Sequence, residues 1–212
     1  MLGVRDVRFA YRKGAEELFG GLTHDFAPSR VTALTGASGR GKSTLLYLVG
    51  LLLTPTGGQV LLDGEPVSEA SDAVRAAVRA RRVGFVFQDS ELDPSRRVID
   101  SVLEPALYAG HLREDKLQRA RALLEQFGLG HRADHRPGQV SGGQAQRLAV
   151  CRALLLEPDI VLADEPTGNL DRDNAALVLG ALVDVARGQG ATVVIATHDP
   201  FVIAQADEVV QL

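Results

Sequence analysis

The sequence predicts an α/β fold with a mainly parallel β-sheet, for three reasons. Short runs of β-forming residues recur along the 212 residues, with glycine and turn residues between them. Several runs are apolar along their whole length, as expected of parallel strands that are buried on both faces. Helical patterns of apolar residues separate the runs. The predicted strands span residues 7–11, 30–35, 59–64, 83–87, 160–164, 192–196 and 207–212, and the predicted helices span residues 42–53, 114–127, 143–156 and 174–187.

Residues 90–140 lack convincing strands, and we interpret them as a mostly helical insertion between the fourth and fifth predicted strands. Apolar residues recur on one helical face near the centre of this segment, and Gly128 is suited to the C-terminus of that helix. The face consists of Leu112, Leu117, Ala120, Leu123, Leu124 and Phe127.

These elements predict a single domain with two parts. Residues 1–88 and 158–212 would form its core, and about 89–157 would form a helical subdomain. A chain that is 45% hydrophobic can bury one sizeable core.

Composition excludes several classes of function. The net charge is −4, with acids and bases interspersed, which argues against a dominant nucleic-acid surface. The basic run 75–82 is read as a solvated helix face in preference to a phosphate or lipid site. A single cysteine, Cys151, excludes an internal disulfide, and its apolar surroundings favour a buried side chain.

Charged residues open the chain, where a secretory signal would be apolar. The longest apolar stretch, residues 45–53, is shorter than the ~20 residues that cross a bilayer. We therefore expect a soluble, cytoplasmic protein that would serve a membrane only through a partner.

Residues 36–43, GASGRGKS, fit the pattern GxxxxGK[ST] between a strand and a helix. The glycines let backbone N–H groups point inward at phosphate oxygens. Lys42 would reach the β- and γ-phosphates of a nucleotide, and the Ser43 hydroxyl would bind Mg²⁺. The alternative is a glycine-rich turn capped by Ser43. The predicted nucleotide ligands in this loop are Gly36, Ala37, Ser38, Gly39, Arg40, Gly41, Lys42, Ser43 and Thr44.

The run IVLADE, residues 160–165, ends in two carboxylates at the C-terminal end of a predicted buried strand. Ligands bind at that end of the strands in open α/β sheets. Asp164 would hold Mg²⁺ through water, and Glu165 would orient and polarise the attacking water. The alternative is a solvated strand end.

Three further side chains follow or lie on predicted strands. The Gln88 amide would reach Mg²⁺ or the water, and His198 would donate to the γ-phosphate and steady the charge of the transition state. Taken singly, both are more often strand-end caps. Tyr11, on the N-terminal strand, would stack on adenine or pack against a small β-subdomain.

Residues 140–147, VSGGQAQR, open a strongly helical run with glycines, a serine and amides, and without an acid, a base or a metal ligand. Such a helix start is suited to holding an anion.

In this order, GASGRGKST, Gln88, VSGGQ, IVLADE, GNLD and His198 resemble the ATP-binding-cassette (ABC) ATPases over essentially the whole chain. The resemblance implies a P-loop NTPase core with a mainly parallel sheet, a small antiparallel β-subdomain near the N-terminus, and a helical subdomain that carries the VSGGQ signature. It also implies ATP and Mg²⁺ as cofactors.

In the family, two domains pack head to tail, and each ATP lies between the phosphate loop of one and the signature of the other. Asp171, in the GNLD segment or D-loop, would lie across the same interface. The resemblance therefore implies that one subunit's signature holds the ATP bound to its partner, through Ser141, Gly142, Gly143 and Gln144.

The segment FVFQDSELDPSRRVIDSVLEPALY and the motif DEPTGNLD resemble the lipoprotein-releasing, macrolide-export and cell-division branch of the family. This implies a separate integral-membrane subunit, docked near residues 91–107, and a peripheral position on the inner face of the cell membrane. The alternative is a cell-division type or regulatory ABC ATPase that transports no solute. Two positions depart from the family pattern: Val140, where leucine is commoner, and Arg40, where a small or polar residue is usual.

Overall fold

The computed structural model describes residues 1–12, 14, 16–37 and 39–212. Two sheets and a set of helices make up the chain. The strands are β1 Leu2–Phe9, β2 Leu18–Phe26, β3 Val31–Thr35, β4 Gly57–Leu62, β5 Glu65–Pro66, β6 Val83–Val86, β7 Ile160–Asp164, β8 Thr192–Ala196 and β9 Glu208–Gln211. The α-helices are α1 Lys42–Val49, α2 Asp72–Arg82, α3 Val98–Tyr108, α4 Arg113–Gln126, α5 Gly142–Leu154, α6 Arg172–Gln189 and α7 Pro200–Ile203.

A five-stranded parallel sheet has the order β6-β7-β8-β3-β9, and a four-stranded antiparallel sheet has the order β2-β1-β4-β5. The predicted α/β fold, with its parallel core and its antiparallel sheet near the N-terminus, is confirmed. The parallel sheet lies between two apolar layers, which explains why β7 and β8 are apolar along most of their length.

Alternate residues of β7 face opposite layers of the core. Val161 and Ala163 pack with α3, α4, α5 and α6 on one side. Ile160 and Leu162 pack with α1 and the antiparallel sheet on the other. All four side chains are almost completely buried. Each large apolar side chain buried in this way contributes about 1.5–3 kcal/mol relative to an exposed one, so the two layers fix the position of β7.

Every element between β6 and β7 is helical: α3, α4, two short 3-10 turns at Gly130–Arg132 and Pro137–Gln139, and α5. Along α4, Ala120, Leu123 and Leu124 are buried, and the α4 C-cap residue Phe127 is buried too. Leu117 is half-buried against the same core. Leu112 is the exception, because it is the N-cap residue of α4 and its side chain is 63% exposed.

Several boundaries differ from those predicted. Helix α1 ends at Val49 and not at residue 53, because Gly50 follows and Leu51 has a positive φ of 60°. Strand β2 was not predicted, since its Gly20 and Gly21, both with positive φ, interrupt the β pattern. Strand β1 ends at Phe9, so Tyr11 lies beyond the strand on which the sequence placed it.

The basic run lies on α2, where every residue is at least partly exposed. Its arginines bond to neighbouring groups: Arg79 Nη1 donates to the Leu51 carbonyl at 2.7 Å, and Arg82 Nη1 donates to Asp63 Oδ2 at 2.8 Å. The run therefore forms a solvated face that ties α2 to the core. Among the described residues, none of the helices has the length and apolar character needed to cross a membrane.

Candidate nucleotide-binding site

The strand order brings the predicted site residues to one edge of the parallel sheet. Gln88 follows β6, the two carboxylates end β7, His198 follows β8, and the glycine-rich loop 36–41 follows β3. These four strands are neighbours in the order β6-β7-β8-β3 and all run parallel. Because the carboxyl ends of parallel strands meet at one edge, residues far apart in the sequence converge there.

Positive φ angles at Gly36, Gly39 and Gly41 shape the loop, at 142°, 82° and 90°. At Gly36 a Cβ atom would also lie 2.7 Å from the Leu212 carbonyl oxygen. At Gly41 it would lie 2.9 Å from the Phe19 ring. The loop therefore requires glycine for both its conformation and its packing. Ser38, the remaining predicted ligand here, lies outside the described residues.

Lys42 closes the loop from the helix side. Its Nζ donates to the carbonyls of Gly36 at 2.9 Å and Ala37 at 3.3 Å, which places the ammonium at the loop mouth. The N-cap residue of α1 is Gly41, and among the described residues no side chain makes a capping hydrogen bond at this helix start. The alternative in which Ser43 caps the turn is thus wrong. The free N–H groups and the dipole of α1 favour an anion at this end.

Asp164 is 2% exposed at the end of β7. Burial raises the pKa of its carboxyl, and the nearby Glu165 charge raises it further. A hydrogen bond from Ser43 and the charge of Lys42 oppose both effects. The carboxylate is therefore buried between a hydroxyl and a cation, a setting that also suits a bound cation.

Glu165 has a φ of 45°, and its backbone N–H donates to the Ala196 carbonyl at 2.9 Å. A non-glycine residue in this region is strained, and such strain is common at functional sites. Glu165 thus turns away from the line of β7 while staying bonded to β8.

Both oxygens of Glu165 contact residues that follow β8. His198 Nδ1 lies 2.6 Å from Oε1, and Thr197 Oγ1 donates to Oε2 at 3.2 Å. The Glu165 side chain is 16% exposed, whereas that of His198 is 80% exposed. The pair therefore consists of a shielded carboxylate and an imidazole that reaches into solvent. Sequence reasoning missed Thr197, although its position directly before His198 was a usable signal.

Tyr11 lies at the mouth of the phosphate loop. Its hydroxyl is 2.7 Å from Thr44 Oγ1, and its ring packs edge-on against Phe9 with centroids 4.9 Å apart. The ring is 64% exposed, so one face is open beside the loop. Both suggested roles of Tyr11, stacking on a base and packing on the antiparallel sheet, are compatible with this position.

Several predicted ligands besides Tyr11 are solvent-exposed, among them Gln88, Ala37, Gly39 and Arg40. Gln88 lies two residues beyond the end of β6, and Ala37 and Arg40 lie in the phosphate loop. The Arg40 backbone N–H donates to the Ala37 carbonyl at 3.2 Å, which tightens the loop.

Ser141 is the N-cap residue of α5. The Gln144 backbone N–H donates to Ser141 Oγ at 3.3 Å, and the Ser141 N–H donates to Gln144 Oε1 at 3.0 Å. This reciprocal capping box fixes the helix start. Ser141 and Gly142 are exposed, whereas Val140 is half-buried against the core.

The D-loop lies against this helix start. A Cβ atom on Gly143 would lie 3.3 Å from Leu170 Cδ2. Asp171 caps α6, accepting from the Asn174 backbone N–H at 2.9 Å.

The signature is not brought to the phosphate loop of its own chain. Helix α5 packs on α3, α4, α6 and β6, whereas α1 packs on β1, β7 and β8. Residues 141–144 therefore form a second, partly exposed helix start that packs on other elements than the loop at 36–43 does.

The ABC transporter family model matches residues 19–168, which cover the phosphate loop, the signature and both carboxylates. The chain belongs to the ABC transporter family. The expected resemblance is therefore confirmed, and the cassette is an ATP-binding ATPase of that family.

Curated relatives match the ABC cassette along its length. LolD 1 of Rhodospirillum rubrum, a lipoprotein-releasing system ATP-binding protein, is 45% identical over 87% of this chain and 82% of its own. LolD of Paramagnetospirillum magneticum is 41% identical over 100% of this chain and 94% of its own. The macrolide export ATP-binding/permease protein MacB of Brucella abortus is 42% identical over 100% of this chain and 33% of its own.

Solved structures match the cassette equally well. The dimeric structure of a bacterial ABC transporter cassette has a TM-score of 0.93 and 32% identity, covering 100% of this chain and 94% of that chain. A dimeric post-hydrolysis cassette bound to ADP and Pi has a TM-score of 0.91 and 30% identity, with the same coverage.

Proposed function

We propose that the cassette is the ATP-hydrolysing subunit of a lipoprotein-releasing type of membrane complex, and that two copies complete each other's sites. The observation that carries this proposal is the separation of the two anion-binding helix starts. The phosphate loop opens beside the carboxylates, whereas the partly exposed signature opens a helix that packs on α3, α4, α6 and β6. The domain division at about residues 89 and 157 belongs to this proposal, because the helical part carries the signature.

In the proposed site, Lys42 and the N–H groups of residues 36–44 bind the β- and γ-phosphates, and Tyr11 stacks on the adenine. Glu165 accepts a hydrogen bond from the attacking water and polarises it. His198, oriented by its contact with Glu165, donates to the γ-phosphate as charge develops. Thr197 keeps the carboxylate in place from the other side.

The residues around Asp164 fit a magnesium ion. A buried carboxylate, the Ser43 hydroxyl and the Gln88 amide oxygen are hard oxygen donors of the kind that Mg²⁺ prefers. When bound, the ion would neutralise charge on the β- and γ-phosphates. We propose Ser43 and Gln88 as direct ligands and Asp164 as a ligand through water.

The second subunit's signature would complete the site. Ser141 and the N–H groups of Gly142, Gly143 and Gln144 would hold the γ-phosphate that is bound to the partner's loop, with Asp171 at the same interface. ATP then contacts both subunits only when they are closed, so it favours closure. Hydrolysis and phosphate release remove these contacts, and the pair opens.

A groove between α2, β6, α3 and α5 is the proposed docking site for a separate integral-membrane subunit. It has a volume of about 740 Å³ and is lined by Phe85, Phe87 and Tyr108 among others. Leu52 and Tyr108, which both line the groove, are 43% and 70% exposed. Apolar side chains with this exposure mark an interaction surface. Docking here would hold the cassette peripherally on the inner face of the cell membrane, and the groove includes part of the segment 91–107 expected to meet the partner.

The choice of lipoprotein release over macrolide export or cell division rests on the LolD relatives, which match the cassette over most of their own length. The cell-division or regulatory type, which transports no solute, remains the alternative.

The test uses the purified chain with Mg-ATP. Glu165→Gln should abolish turnover and should run as a dimer on size-exclusion chromatography, because ATP is bound but not consumed. Adding Ser141→Arg should return the protein to a monomer. Equal, near-zero turnover in wild type and Glu165→Gln would favour a regulatory switch instead.

A further inference from the structure

The signature helix α5 holds the loop that carries Gln88. Arg152 Nη1 donates to the Glu91 carbonyl at 2.8 Å, and its Nη2 donates to the Ser90 carbonyl at 2.9 Å. Gln146, which is 2% exposed, donates through Nε2 to the Phe87 carbonyl at 3.4 Å. Three carbonyls of a five-residue loop are thus bonded to one helix.

Gln88 and Asp89 lie between the bonded carbonyls, and both are exposed. The loop is also strained, since Glu91 has a φ of 48°. A bulky residue in this conformation persists only where its surroundings hold it, and Arg152 binds its carbonyl directly. The hydrogen bonds from Arg152 and Gln146 therefore hold residues 87–91 in a strained conformation, which the loop would leave if these bonds were removed.

Arg152 belongs at the same time to the wall of the proposed docking groove. Phe87 and Glu91 line that groove as well, as do Glu104 and Tyr108. Burial lowers the pKa of the guanidinium, while Glu104 and Glu91 raise it; a guanidinium keeps its proton in any case. A segment that enters the groove would thus meet a buried cation whose hydrogen bonds hold the Gln88 loop.

We propose that Arg152 is a positioning residue that holds the Gln88 loop to the signature helix at the wall of the docking groove. The inference rests on the proposed function, because it assigns Gln88 and the signature to ATP turnover. Arg152 is not proposed to contact the nucleotide. It affects turnover only by holding residues 87–91 in place.

Arg152→Lys is the test variant, because it keeps the positive charge but replaces the two separate Nη donors of the planar guanidinium with a single nitrogen. Arg119→Lys is the matched control. Arg119 Nε and Nη2 donate to the Leu155 and Leu154 carbonyls at 3.2 and 3.4 Å, so it also binds α5 through main-chain oxygens but leaves the loop alone.

Two readouts are compared in both variants. ATP turnover gives kcat and KM, and tryptophan anisotropy reports loop motion in an Asp89→Trp background, which is informative because the chain has no tryptophan. Arg152→Lys should lower kcat about fivefold with KM within about twofold, since the phosphate loop is untouched. It should lower the anisotropy of the introduced indole by roughly a third. Arg119→Lys should change neither.

Unchanged values for Arg152→Lys, or equal changes in Arg119→Lys, would overturn the proposal. A change in only kcat or only the anisotropy would also overturn it, because loop position and ATP turnover would then not both depend on Arg152. If Arg152→Lys does not fold, Gln146→Met, which removes only the Phe87 bond, must move both readouts in the same direction. If the wild-type protein shows no ATP turnover that Glu165→Gln abolishes, the proposed function is contradicted. The anisotropy measurement then still decides whether Arg152 holds the loop.

Discussion

Thr197 illustrates how a single hydroxyl can position the proposed catalytic carboxylate. Its Oγ1 donates to Glu165 Oε2 and accepts from the Asp199 backbone N–H at 3.0 Å. The hydroxyl thereby joins the end of β8 to the carboxylate on β7. Because His198 occupies the other oxygen, Glu165 is held from two sides.

Thr197→Val should lower kcat about tenfold with KM within about twofold, because one charge-assisted hydrogen bond contributes about 1.5–3 kcal/mol. Thr192→Val is the control: Thr192 is buried at the far end of the same strand, away from the site. Steady-state ATPase assays compare the two. A loss of rate that is equal in both variants would mean that the strand, and not the hydroxyl, is responsible.

Tyr11 allows its two suggested roles to be separated at the residue scale. Tyr11→Phe removes the Thr44 hydrogen bond but keeps the ring, whereas Tyr11→Ala removes both. If the ring stacks on adenine, Tyr11→Ala should raise the KM for ATP about fivefold, since stacking on a base contributes about 1 kcal/mol or more. Tyr11→Phe should stay near wild type. A rise for Tyr11→Phe as large as for Tyr11→Ala would assign the effect to the hydroxyl.

At the scale of elements, periodicity predicted helices α1, α4, α5 and α6 and the buried strands that pack on both faces, but it did not single out α3 or α7. Strands β7 and β8 are apolar along most of their length because both of their faces are covered. Strand β2 was not predicted, because its two glycines and its half-exposed residues interrupt the apolar pattern by which the other strands were identified. Leu112 fitted the helical period but precedes the helix, since periodicity does not specify where a helix starts.

The element-scale prediction concerns the apolar face of α4. Leu124→Ala should destabilise the chain by about 2–5 kcal/mol, because Leu124 is fully buried and its loss leaves a cavity. Leu112→Ala should change the free energy of unfolding by less than about 0.5 kcal/mol. Urea unfolding followed by circular dichroism measures both. Similar losses in the two variants would contradict the assignment of Leu112 to an exposed cap.

At the scale of the whole molecule, motif spacing predicted which residues carry chemistry, but only the sheet order brings them together. Asp164, Glu165 and His198 lie at the same sheet edge as the phosphate loop because β8 pairs with both β7 and β3. Contacts such as those of Thr197 and Arg152 could not be predicted, since they depend on the register of strands and on the packing of α5. The signature stands apart from this cluster, and that separation is the basis for a site shared between two copies.

The most direct test of the shared site mixes two inactive variants. Lys42→Ala removes the phosphate-loop lysine, and Ser141→Arg blocks the signature. In a mixed pair, one site combines the intact loop of one variant with the intact signature of the other. Mixing should therefore restore ATPase turnover to at most about half of the wild-type rate, because each mixed pair holds one of two sites. A mixture as inactive as its two components would contradict the account.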